Sequence, residues 1–398
     1  SSQQPRRIES GKALILENGL TLEMGENAKI IVERGALLEV NGSTITKACD
    51  KSWSGIEVWG DGADLSQSTA YQGKIDLNQG TTIEFAKNAI TTSKYINGDR
   101  DFTSFGGIVE ANEATFKNCQ RAVEFMSYHR SPHPVTGVEQ NNKSKFERCS
   151  FVVDNNYQDG LGIGEQITMW NTKGIRILGC EFNNTNITLA NDPEFKAIHT
   201  EDATYTVKDL GSNPSTAISN SFTGFHTGIF SSTSRSLLNS IVIENSQFDN
   251  KKGIIMEGVY RPRVTENHFS TDSVGVYFDH CIGYKMEDNS FDDSGNSGQS
   301  YGLVIRQSGN QANSAYNNDF DGLYVATQAQ GGNKGIEGDF DTGLKYTCNN
   351  FQSGAYDMSI IPIDGMTSSQ GISTTQGDED ESATNQFIDT SSGLPLDN

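Results

Sequence analysis

The chain has 398 residues, with 41 Gly against 8 Pro and 34% apolar residues, and no stretch suited to a long amphipathic helix, which favours short strands joined by turns. Its formal charge of −21 makes nucleic acid, anionic membrane and bare polyanionic glycan poor partners unless cations intervene; divalent cations and neutral ligands fit better. No apolar run reaches the roughly 18 residues that a membrane-spanning helix needs, so membrane insertion is not expected.

The opening segment, Ser1 to Lys12, lacks the apolar centre of a secretion signal and reads as the start of a mature or excised piece. Ala13-Leu-Ile-Leu16, Leu20-Thr-Leu-Glu-Met24, Lys29-Ile-Ile-Val32, Ala36-Leu-Leu-Glu-Val40 and Ser43-Thr-Ile-Thr46 follow, separated by Gly or Asn turns. They predict tight N-terminal coils of short strands. From there a phrase recurs: a small polar residue two places before a Phe, a turn, then Gly and a β-branched or aliphatic run. It reads Asn220-Ser-Phe222 then Gly228-Ile-Phe230, Ser246-Gln-Phe248 then Gly253-Ile-Ile-Met256, Asn267-His-Phe269 then Gly275-Val-Tyr-Phe278, and Asn289-Ser-Phe291 then Gly302-Leu-Val-Ile305. Looser copies carry Phe320 and Phe351. Cys149-Ser-Phe151 and Cys180-Glu-Phe182 fill the same slot upstream, and Thr81-Thr-Ile-Glu-Phe85 and Ala114-Thr-Phe116 are degenerate copies.

The Phe positions from 222 to 351 are 26, 21, 22, 29 and 31 residues apart. Some 21 residues are too few for a βαβ crossover, which needs roughly 30, but suit one coil of a parallel β-helix rising about 4.8 Å. The fold class predicted is therefore all-β, a single-stranded right-handed parallel β-helix (solenoid) with loop insertions, over residues 1–365. Phe would stack in an interior column, and Asn220, Asn267, Asn289, Asn318 and Asn349 would form a turn ladder. Cys149 and Cys180 would be two buried thiols in that column, at a spacing that also permits a disulfide. The gaps near 126–145, 154–172 and 186–215 read as projecting loops, where functional residues concentrate. Residues 366–398, polar and acidic around Gly377 to Ser382, read as a C-terminal cap or a linker to further domains of the same polypeptide.

Six cysteines without a CxxC pair or a Cys/His cluster argue against a structural zinc site. Counting from the Gly, the next residue should face in, the second out, the third in and the fourth out. The fourth slot holds Ser232, Glu257, Asp279 and Arg306, and the second Phe230, Ile255, Tyr277 and Val304. Glu257 and Asp279 would then lie about 5 Å apart on adjacent coils with Arg306 one coil on and His280 alongside. Such an acid pair can hold Ca²⁺ or serve as acid and nucleophile in glycoside cleavage; an exposed ion ladder without chemistry has the same pattern. Tyr260, Arg261 and Arg263, in Tyr260-Arg-Pro-Arg263, and Tyr277 and His280 are candidate ligand-binding residues beside it. His129 and His133 fit a solvated loop better than a metal site, and Gly160-Leu-Gly-Ile-Gly164 lacks the Lys and helix of a phosphate loop.

Trp53-Ser-Gly-Ile-Glu-Val-Trp59-Gly, Trp170-Asn-Thr-Lys-Gly-Ile-Arg-Ile-Leu-Gly-Cys-Glu-Phe182 and Gly343-Leu-Lys-Tyr-Thr-Cys-Asn-Asn-Phe351 resemble the large parallel β-helix surface proteins that Bacteroidetes export by type IX secretion. That resemblance implies an extracellular or cell-surface placement. The expected function is a non-catalytic module for adhesion or for binding a polysaccharide or cell-surface glycan, with no required cofactor beyond optional Ca²⁺. A polysaccharide lyase or glycoside hydrolase using the Glu257, Asp279 and Arg306 face is the catalytic alternative, and a structural spacer in a larger surface protein is the third.

Overall fold

A computed structural model describes residues 5–398 apart from 158–160, 212, 214, 235–239, 296–297, 337–338, 340, 353, 364–369, 378–381, 390–393 and 396–398. The chain forms two compact units, residues 1–224 and 225–398. Each is a right-handed parallel β-helix whose coils are built from short strands paired in register with the coil before and after. In the first unit one coil runs through Lys145–Glu147, Ser150–Val153 and Ile167–Trp170, and the next through Lys173–Leu178, Glu181–Asn184 and Lys196–Glu201, with Phe146 opposite Ile177, Phe151 opposite Phe182 and Ile167 opposite Ile198. In the second unit the corner between two strands is so shallow that Ser246–Glu257 and His268–Asp279 each run on as one long strand.

Interior columns hold these coils together. Phe116, Phe151, Phe182 and Phe222 stack in the first unit with ring centroids 5.0, 4.5 and 4.7 Å apart. Phe248, Phe269, Phe291 and Phe320 repeat at 4.8 Å in the second, and Phe351 and Phe387 extend the stack. Each ring removes its apolar area from water and gains an offset aromatic contact of about 1 kcal/mol besides. The Gly past the corner is required by this stack: a Cβ on Gly253 would meet Phe269 Cδ1 at 2.7 Å, and one on Gly275 would meet Phe291 Cδ1 at 2.6 Å. At the turn, Asn267, Asn289 and Asn318 each donate Nδ2 to Oδ1 of the next Asn at 3.1, 2.9 and 2.9 Å, and each backbone N–H reaches the same oxygen. These buried amides are therefore satisfied along the axis of their unit. Asn220 fills the equivalent place in the first unit, accepting from Cys180 N at 2.8 Å.

Several expectations change. Ile83, not Phe85, occupies the column slot opposite Phe116; Phe85 turns out at φ 56° and lies under the Lys47 ammonium at 4.4 Å. The gaps at 154–172 and 186–215 contain strands Ile167–Trp170, Lys196–Glu201 and Thr204–Lys208, because Ile167, Met169, Ile198 and Thr200 face in without a Gly to announce them. All six cysteines are free thiols. Cys149 and Cys180 share a side-chain hydrogen bond that lowers the Cys149 thiol, while burial pushes Cys180 up. In the stretch 366–398, strand Gln386–Asp389 adds a rung on Asn350–Gln352; most of the acidic run from Gly377 to Ser382 lies outside the described residues, as does Gly160 of the glycine-rich loop.

Candidate functional site

The row anticipated in the second unit is present. Glu257 lies opposite Asp279, and Asp279 opposite Arg306. Arg306 Nη1 donates to Asp279 Oδ2 at 2.7 Å, and His280 Nδ1 lies 2.6 Å from Oδ1. Arg306 thus occupies one oxygen of the Asp279 carboxylate and His280 lies beside the other, which makes no hydrogen bond, while Glu257 points to solvent. Tyr277 shares the strand two residues earlier, its phenol pushed up by burial and by the Asp279 charge. Tyr260, Arg261 and Arg263 do not converge on this row. Tyr260 bridges to Ile282 at the turn with the Arg261 guanidinium over its ring at 4.9 Å, and Arg263 opens a strand of the other sheet, reaching Glu244 at 3.2 Å. His129 Nε2 contacts Asn171 O and His133 Nδ1 accepts from its own turn.

The first unit carries a more elaborate arrangement on the other outward slot, the second after the Gly position. Glu57, Thr91, Glu124, Thr168 and His199 stand opposite one another from coil to coil, and a hairpin folds over Glu57 and Glu124. Its strands are Lys94–Ile96 and Asp99–Asp101, antiparallel, joined by Asn97 and Gly98 at φ 53° and 92°, the positive angles that an Asn-Gly hairpin turn supplies. Glu124 is wholly buried beneath it. Arg100 reaches Oε1 at 2.6 Å and Arg121 at 2.9 Å, while Tyr95 OH and Thr91 Oγ1 donate to Oε2 at 2.9 and 2.8 Å. Burial and the Glu124 charge push the Tyr95 phenol up to about 12. A buried carboxylate is tolerated only with such complete pairing.

Beside the hairpin opens a cleft of about 450 Å³ lined by Asn27, Lys29, Glu57, Asn88 and Tyr95 among others. Gly55 forms part of its floor. The strand Ala86–Thr91 bulges between Asn88 and Ile90 against Trp53–Val58, bringing Asn88 O so close that a Cβ on Gly55 would lie 1.5 Å from it. A bulge that re-aims side chains and a row position without a side chain together leave the depression. Lys29 Nζ is held by Glu57 Oε1 at 2.6 Å, and Glu57 Oε2 accepts from Trp59 Nε1 at 2.8 Å. Further along the unit, Glu165 joins His199 Nδ1 at 3.0 Å and Arg121 at 3.3 Å, with Trp170 edge-on to His199. Burial would raise the Glu165 carboxyl, but the His199 hydrogen bond and the Arg121 charge outweigh it and hold it at about 2.

Neither the hairpin nor this row was found from the sequence. The Asn97-Gly98 pair between Ile96 and Asp99 was the available signal for the first. For the second, the in–out count extends upstream through Ala122-Val-Glu-Phe-Met126, Gln166-Ile-Thr-Met-Trp170 and Ala197-Ile-His-Thr-Glu201, where Ala or Gln replaces Gly.

A family model described as "Periplasmic copper-binding protein (NosD)" matches residues 142–357, more than half of the chain. Among the described residues no three His, Cys, Asp or Glu side chains gather as metal ligands. No curated protein matches the chain. Among solved structures, a double mutant of the tailspike protein of E. coli bacteriophage HK620 superposes with a TM-score of 0.53 at 12% identity over 88% of this chain. A mutant in complex with a pentasaccharide gives 0.51 at 12% over the same share. The chain covers 60% of either tailspike chain, and at this identity the likeness bears on the fold.

Proposed function

The chain belongs to the NosD family of parallel β-helix proteins, and from that premise we propose that it is a non-catalytic carbohydrate-binding module acting outside the cytoplasm, its ligand held in the cleft of the first unit. The carrying observation is the lining of that cleft. Asn27, Asn88 and Asn97 amides, Ser54 and Thr91 hydroxyls and the Tyr95 ring stand beside a fixed Lys29–Glu57 pair, a mixture of donors, acceptors and aromatic surface that matches sugar hydroxyls and CH faces. The pentasaccharide on a tailspike of like fold is consistent with a saccharide here. Family membership supports an extracytoplasmic location; cell-surface display, type IX export and an adhesive role are parts of the proposal that rest on the sequence resemblance.

The test is a glycan array paired with reducing-sugar and unsaturated-product assays over neutral and acidic polysaccharides, with and without Ca²⁺. Binding without turnover is expected, weakened about tenfold by Asn88→Ala and unchanged by Glu257→Gln or Asp279→Asn. Turnover that disappears in Glu257→Gln would instead support the hydrolase reading and a working Glu257–Asp279 face, and Ca²⁺-dependent binding lost in the same variants would assign a cation there.

A further inference from the structure

We infer that the cleft selects an acidic sugar, a glycan residue bearing a carboxylate, through the ammonium of Lys87; this rests on the cleft being the saccharide site. Three charged side chains line it: Lys29, Lys87 and Glu57. Glu57 is almost fully buried and neutralises Lys29 at 2.6 Å. Lys87 is different. Its Nζ donates to the neutral Asn27 carboxamide at 2.9 Å, and it pairs with no carboxylate among the described residues. The cleft therefore keeps one positive charge on a chain whose formal total is −21.

The backbone puts that charge where a ligand would meet it. Lys87 stands on the bulged strand next to Asn88, whose partner across the rung is Gly55. Gly55 and Lys87 both line the cleft, and the Lys87 side chain is exposed. A neutral sugar would leave Lys87 with amide and hydroxyl acceptors only, whereas a sugar carboxylate provides the charge-assisted bond, about twice as strong as a neutral one. Asn27 and Asn88 can then donate to the second carboxylate oxygen and the adjoining hydroxyl.

The charge of the whole chain narrows the ligand further. A dense polyanion would be repelled by the surrounding negative surface, but that repulsion is screened beyond about 10 Å at 0.1 M salt, while a contact pair is screened much less. An isolated acidic residue among neutral sugars satisfies both conditions.

Titration calorimetry on the full chain in 0.15 M salt tests this, using neutral oligosaccharides, the same oligosaccharides with one residue oxidised at C6 to the uronate, and the 6-O-sulfated counterparts. The uronate member is expected to bind about five- to tenfold tighter than its neutral partner. Lys87→Met should bring that ratio close to one and Lys87→Arg should keep it, with thermal melting confirming that both variants fold. Equal binding of neutral and acidic members, a preference that survives Lys87→Met, or a stronger response to sulfate than to carboxylate would overturn the inference while leaving a saccharide site standing. If no member of any series binds, the saccharide reading of the cleft itself fails.

Discussion

Glu165 shows how one carboxylate held by the outward row, through His199, can couple the first unit to pH. Its folded pKa of about 2 lies below the ordinary carboxyl value of 4.5. A depressed carboxyl contributes stability that is complete above the higher value and is lost as the pH falls toward the lower one. Denaturant unfolding should therefore show a loss of about 2 kcal/mol between pH 4.5 and 2 that is absent in Glu165→Gln; an acid limb unchanged by that substitution would place the titration elsewhere. Individual residues were unevenly legible in sequence. Phe269, Phe291 and Asn289 could be placed because repetition reveals a column, and the Glu257–Asp279–Arg306 row followed from counting outward slots. What counting could not supply was the place of His280, which beside Asp279 in sequence turns back at φ 53° to lie next to its other oxygen. Nor could it show that Tyr260 and Arg261 pack on each other instead of facing the row, since that depends on the corner after the strand.

The hairpin Lys94–Asp101 is the element that sets the first unit apart. It contributes no strand to a coil, and it is held by Arg100 and Tyr95 on a carboxylate in the wall beneath. Replacing Arg100 by Met leaves Glu124 with Arg121, Thr91 and Tyr95, and should cost about 1–3 kcal/mol in local closing of the hairpin. Hydrogen exchange should then quicken at Lys94–Asp101 while Arg121–Phe125 stays protected; uniform loss of protection would mean that the hairpin supports the coils instead of resting on them. Four strands of the second unit could be read because Gly228, Gly253, Gly275 and Gly302, each forced by an adjacent Phe ring, mark them. In the first unit Ala122 and Ala197 are small enough for that position and Gln166 is accommodated there, so the same physical constraint is met without its usual sign. A repeat search keyed to Gly passes over strands that are fully formed.

At the scale of the molecule, the cleft and the most regular stacking separate. The second unit has the more uniform columns and an outward slot filled by Ile255, Tyr277 and Val304; register shifts occur in both units, and the first has the cleft. The stacking that stabilises the second unit is nearly the same between any two neighbours, and this predicts tolerance to losing a whole coil. Deleting residues 270–291 would join Phe269 to Asp292 and set Phe269 on Phe320 and Asn267 on Asn318. The shortened chain should melt cooperatively, its Tm within about 10 °C of the parent; a broad, non-cooperative melt would show that the coils are not interchangeable. The same uniformity has a cost during folding. A coil that docks one repeat too far still finds Phe against Phe and Asn against Asn, so the columns supply adhesion without an address. Correct pairing must then be written in what differs between coils: the unequal lengths of their loops, the ion pairs of their outer rows, and the odd residues that break the pattern.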